Sequence, residues 1–134
     1  MGCDLHYHIE VRSRKAVKGG HTEWEHSSLS TECSDRSYIL FGALAGVRSN
    51  ECKPIDDPRG LPPDATEETK EGYNHEGWCC HSASWCDHVE LRKACKRVKG
   101  RCGWMPVEML AIASFMEAYE QQGWDARMVF YFDS

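Results

Sequence analysis

The chain has 134 residues, a formal charge of −5 and eight cysteines. That length is one domain's worth, enough to bury about two-thirds of the surface its unfolded form exposes, and the acidic balance disfavours nucleic acid as a partner. The longest apolar run, Met109 to Met116, is far short of the roughly 20 residues that cross a bilayer, and the first ten residues are too polar for a signal peptide, so a cytoplasmic protein with reduced thiols is expected.

The opening stretch MGCDLHYHIE alternates. It predicts a strand over Leu5 to Arg14, with Cys3, Leu5, Tyr7, Ile9 and Val11 toward a core and Asp4, His6, His8 and Glu10 on the other face. Gly19 and Gly20 suit a two-residue hairpin turn, with His21 to His26 returning as the partner strand. Tyr38, Leu40, Phe41, Leu44 and Val47 then recur at helical spacing, so a helix is expected from about Arg36 to Arg48 with Ser34 or Asp35 as its N-cap.

From Asn50 to Gly77 the sequence is polar and proline-bearing, and reads as a long loop in which the prolines around Arg59 hold that residue on a defined turn. Ser84 and Asp87 announce a second helix carrying His88, Leu91, Cys95, Val98 and Cys102, ended near Gly100. A third runs from Pro106 to Gln122 with Gly123 as its stop, and ARMVFYFDS closes the chain as a strand. The sum is a single α+β domain over residues 1–134. A small antiparallel sheet, made of the N-terminal hairpin and the C-terminal strand, packs against two or three helices, with residues 50–77 as an irregular central loop.

Residues two apart on a strand stand roughly 7 Å apart on one face, so His6 and His8 can share a metal, with Asp4 and Glu10 as carboxylate ligands or as a base acting on metal-bound water. The same four positions also suit an exposed strand face. DLHYH resembles the signature that opens the metal-dependent amidohydrolases and related phosphoesterases, but those barrels need roughly 200 residues or more. A second constellation places His75, Cys79, Cys80, His81, Cys86 and His88 within fourteen residues. Cys79, Cys80, His81 and Cys86 are candidate ligands for zinc or another divalent metal, although the spacing is wider than in compact zinc modules. Cys95 and Cys102 are better read as small buried apolar residues. HSASW, at the expected helix start, offers His81, Ser82, Ser84 and Trp85 to an anion such as phosphate.

Taken in order, MGCDLH with Glu10, DRSYILFGALAGVR, PRGLPPD, HSASW and ARMVFYFDS resemble a family of small bacteriophage and prophage proteins that begin Met-Gly-Cys-Asp-Ile-His. The likeness spans nearly the whole chain. Its matching positions are Cys3, Asp4, His6, Glu10, Arg36, Tyr38, Arg59 to Pro62, His81, Ser82, Ser84 and Trp85. It implies a phage or prophage origin and expression in a bacterial cytoplasm, and no particular reaction. His8 departs from the pattern, and the cysteine cluster is particular to this chain.

These readings lead to three expectations. The first is an accessory protein, of an anti-defence kind, that binds a phosphorylated or nucleotide-like ligand or a host protein through Asp4, His6, Glu10, Arg36, Tyr38, Arg59 and the His81 to Trp85 stretch. The second is a metal-dependent hydrolase or nuclease with Asp4, His6 and Glu10 as ligands or base and His81 assisting. The third is a zinc-stabilised interaction module. No membrane partner is expected.

Overall fold

The computed structural model describes residues 2–15, 23–27, 36–75, 80–99, 101 and 107–134. In chain order the elements are β1 (Asp4–Ser13), β2 (Glu25–His26), α1 (Tyr38–Ala45), α2 (Glu67–His75), β3 (Cys80–Cys86), α3 (His88–Val98), α4 (Val107–Gln121) and β4 (Trp124–Asp133). The strands form one antiparallel sheet in the order β2-β1-β4-β3, so the fold is α+β, as the sequence implies. No described helix is long and apolar enough to cross a membrane.

β1 and β4 pair along their full lengths, and most of their apolar residues share one face. Leu5, Tyr7, Ile9 and Val11 meet Phe132, Phe130, Met128 and Ala126. Leu40, Phe41 and Leu44 of α1, Leu91 and Val98 of α3, and Met109, Ile112 and Met116 of α4 close over them. Burying a side chain of this size contributes about 1.5–3 kcal/mol, so this layer supplies most of the driving force. Cys95 lies within it as the small apolar residue expected, its thiol pushed up to about 11 by burial.

Several local readings need correction. α1 is shorter than expected and is capped by Ser37, whose side chain accepts from the Leu40 N–H, while Gly46 ends it in the left-handed region at φ 72°. Ser34 and Asp35 lie outside the described residues, as do the Gly19–Gly20 turn, His21, Gly100, Cys102 and Pro106. Of the return strand, Glu25 and His26 are described, paired with Val11 and Glu10. HSASW is strand β3 rather than a helix start, because the capping box is formed one step later. Asp87 accepts from the Glu90 N–H and the Glu90 side chain accepts from the Asp87 N–H, so α3 begins at His88.

The largest departure is α2, which occupies the second half of the stretch read as loop. Thr66 starts it, its hydroxyl accepting from the Thr69 N–H at 3.2 Å. Its apolar periodicity is weak because it packs on the polar face of the sheet, where Gly72 provides the close approach. A Cβ there would stand 2.7 Å from the Tyr131 hydroxyl and 3.0 Å from the His8 imidazole. Gly72→Val should therefore lower stability in urea denaturation by about 2 kcal/mol through overpacking. Glu71→Ala, on the exposed side, should shift it by under about 0.5 kcal/mol.

Candidate functional site

The side chains opposite the apolar core form a ladder. Asp4, His6, His8, Glu10 and Arg12 of β1 face Asp133, Tyr131, Val129, Arg127 and Asp125 of β4. At one end Arg36 clasps Asp4 through Nε to Oδ1 at 2.6 Å and Nη2 to Oδ2 at 3.2 Å, which holds the Asp4 carboxyl below its ordinary range. This pair is exposed and contributes little to stability. Next, His6 Nε2 lies 2.6 Å from Asp133 Oδ2 while its ring stacks on Tyr131.

His8 is 5% exposed, with Nδ1 3.1 Å from His26 Nε2 and Nε2 3.0 Å from the Tyr131 hydroxyl. Burial first, and then the neighbouring His26, push its pKa down to about 4, so the ring is neutral at pH 7. Glu10 is 0% exposed. Its Oε1 accepts from Arg127 Nε at 2.8 Å and lies 2.7 Å from Nη2, while its Oε2 accepts from the Thr66 N–H at 2.8 Å and the Thr69 hydroxyl at 2.7 Å. The carboxylate thus sits at the N-terminus of α2, where the helix dipole also favours it.

At the far end Arg12 and Arg127 both lie against the Trp24 ring, at 4.4 and 4.0 Å from its centroid. Arg12 pairs with Asp125 at 3.1 Å. The Trp24 indole N–H donates to Asp64, which also pairs with Arg127. Beside this stack, between β2 and the start of α2, an open cleft of about 920 Å³ is lined by Arg12, Trp24, His26 and Lys70 together with the carboxylates Glu23, Glu25, Asp64, Glu67 and Glu68.

The sequence-predicted residues therefore fall into separate groups. Asp4, His6 and Arg36 meet at one end of the ladder; Glu10 is sealed under α2 at the other. Arg59, Ser84 and Trp85 do come together, but they engage one another and α3. The Arg59 N–H donates to Ser84 Oγ at 3.0 Å, and its guanidinium binds Asp56, Glu90 and the Trp85 carbonyl while lying over the Trp85 ring. The Glu90 partner raises the Arg59 pKa further, and the Gly60 N–H to Ala83 carbonyl bond at 2.8 Å completes the attachment of this loop to β3.

His81 pairs with Phe132 and stacks on it, on the helix-covered side, so the sheet stands between it and His6. Its ring nitrogens lie 3.0 Å from the hydroxyls of Ser82 and Ser134. Ser82, at φ 56°, occupies the irregularity between His81 and Ser84 where β3 slips register against β4. The Tyr38 hydroxyl accepts from the Cys3 N–H at 3.2 Å. Cys80 lies opposite Asp133, whereas Cys86 is in the core beside Met128, its thiol raised by burial. Cys79 lies outside the described residues. Among the described residues no three His, Cys, Asp or Glu side chains are arranged to hold one ion.

The sequence motifs do not single out Arg127, Asp133, Tyr131, Trp24, Thr66 or Thr69, which the structure places among the ladder and its partners. A signal exists for Arg127 and Asp133: with Asp125 they are three charges on one face of a strand rich in apolar residues, and such charges call for partners across the ladder. No protein-family model, curated protein or solved structure matches this chain.

Removing Glu10 leaves Arg127, whose side chain is 10% exposed, without its principal counter-charge. Glu10→Ala should cost about 3–5 kcal/mol in denaturant titration. The double variant Glu10→Leu with Arg127→Met should cost clearly less than the two single losses added, because neither leaves a buried charge alone.

Proposed function

We propose that this chain is a small phage-type accessory protein that acts by binding, and that the cleft beside Trp24 receives a lysine- or arginine-bearing segment of a host protein. The observation that carries this reading is a cleft beside the Trp24 ring that sets five carboxylates against Arg12 and Lys70. Arg12 and Arg127 hold the indole in place, so the ring needs no reordering to receive a ligand. The exposed Glu23, Glu25, Glu67 and Glu68 supply a field that attracts cationic side chains and repels phosphate. The chemistry-bearing residues Glu10 and Arg59 are engaged within the fold, which favours recognition over turnover. On the resemblance given above the host is a bacterium, and occupying a defence component is the role that such binding would serve.

A peptide of alternating lysine and arginine should change Trp24 fluorescence saturably, in a manner lost in Trp24→Phe and weakened by salt. Glu67→Lys with Glu68→Lys should weaken the peptide at least tenfold. Binding of a nucleotide in its place, or recovery of hydrolysed product from it, would contradict this reading.

A further inference from the structure

We propose that His8 and His26 form a proton-operated latch that holds β2 and α2 against the sheet. The two rings meet edge to face with 3.1 Å between His8 Nδ1 and His26 Nε2. That contact needs one N–H and one bare nitrogen. His8 Nε2 is engaged by the Tyr131 hydroxyl at 3.0 Å, and Gly72 of α2 presses on the same ring edge.

Protonating His8 puts an N–H on both of its ring nitrogens and a charge on a ring that is 5% exposed. That charge is disfavoured for as long as α2 and β2 keep the ring from water. Relief requires His8 to reach water, which means lifting α2 at Gly72.

The titratable groups around His8 come from every element packed on it. His26 on β2 and His6 on β1 oppose its protonation, while Glu10 on β1 and Glu68 on α2 favour it; Tyr131 of β4 contributes its hydroxyl. Glu10 is itself neutralised by Arg127. Burial outweighs the two carboxylates, so closed His8 titrates near 4 in place of the ordinary 6.5. The opened form takes up the proton first as pH falls. Opening is thus favoured progressively from pH 6.5 down to about 4 and is unaffected above that range. Between pH 7.5 and 5.0 the opening constant should rise roughly 30-fold. His26 also lines the cleft, so release of the latch would alter its wall, whatever the occupant.

Hydrogen exchange of the intact protein tests this, with amide rates corrected for their intrinsic pH dependence. The latch predicts that residues 67–75 lose roughly 30-fold in protection between pH 7.5 and 5.0 and at pH 5.0 are far less protected than the α4 amides. His8→Gln, which keeps a group for Tyr131 but cannot titrate, should flatten the dependence. Should that variant fail to fold, the His8 ring resonances of the native protein give the second readout, with titration near pH 4. Unchanged protection of residues 67–75, protection equal to that of α4 at pH 5.0, or His8 titration at its ordinary value would overturn the latch.

Discussion

Glu10 and Arg127 are buried together between a sheet and a helix, and the second layer of this protein depends on how completely that pair is satisfied. Moving two ions out of water costs several kcal/mol each, and their mutual attraction offsets this only when the remaining lone pairs and N–H groups are also engaged. Here they are. Arg127 takes one carboxylate oxygen and α2 supplies two donors to the other through Thr66 and Thr69. The helix is therefore registered on the sheet by hydrogen bonds at its first turn and by shape at Gly72. From the same anchor Arg127 reaches Asp64 and Trp24, so the geometry of the cleft follows from the pair that docks the helix.

The apolar half of the fold was legible in the sequence because it follows simple periods. Alternation in β1, the all-round apolar helix α4 and the aromatic strand β4 each state their partners through hydrophobicity, and the core assembles from them. The polar half was not legible for the same reason. α2 binds through Thr69, Gly72 and Tyr73, residues that a search for apolar stripes reads as loop. The serine-to-acid spacing of HSASW imitates a cap, whereas the true box uses Asp87 and Glu90. His8 is more deeply buried than His6, since Gly72 closes on it.

The alternating row of β1 is thus neither a solvent face nor one convergent site. Each member has its own partner: Arg36 for Asp4, Asp133 for His6, His26 and Tyr131 for His8, Arg127 for Glu10, Asp125 for Arg12. The PRGLPPD loop follows the same logic, with Arg59 tying it to β3 and to the start of α3 while its far end delivers Asp64 and Thr66 to the Glu10 anchor. Residues that read as a recognition motif in sequence act here to position the loop and helix bordering the cleft. The groups turned toward solvent are mainly carboxylates of β2 and α2, and they give the cleft its sign.

Carboxyl footprinting measures this arrangement directly: the native protein is treated with a water-soluble carbodiimide and an amine, and labelled positions are mapped by mass spectrometry. Glu67, whose side chain is 81% exposed, should label readily, whereas Glu10, with none of its surface open to solvent, should remain unlabelled until the protein is unfolded. Native labelling of Glu10 at a rate close to that of Glu67 would mean that α2 does not cover the ladder, and would contradict the account.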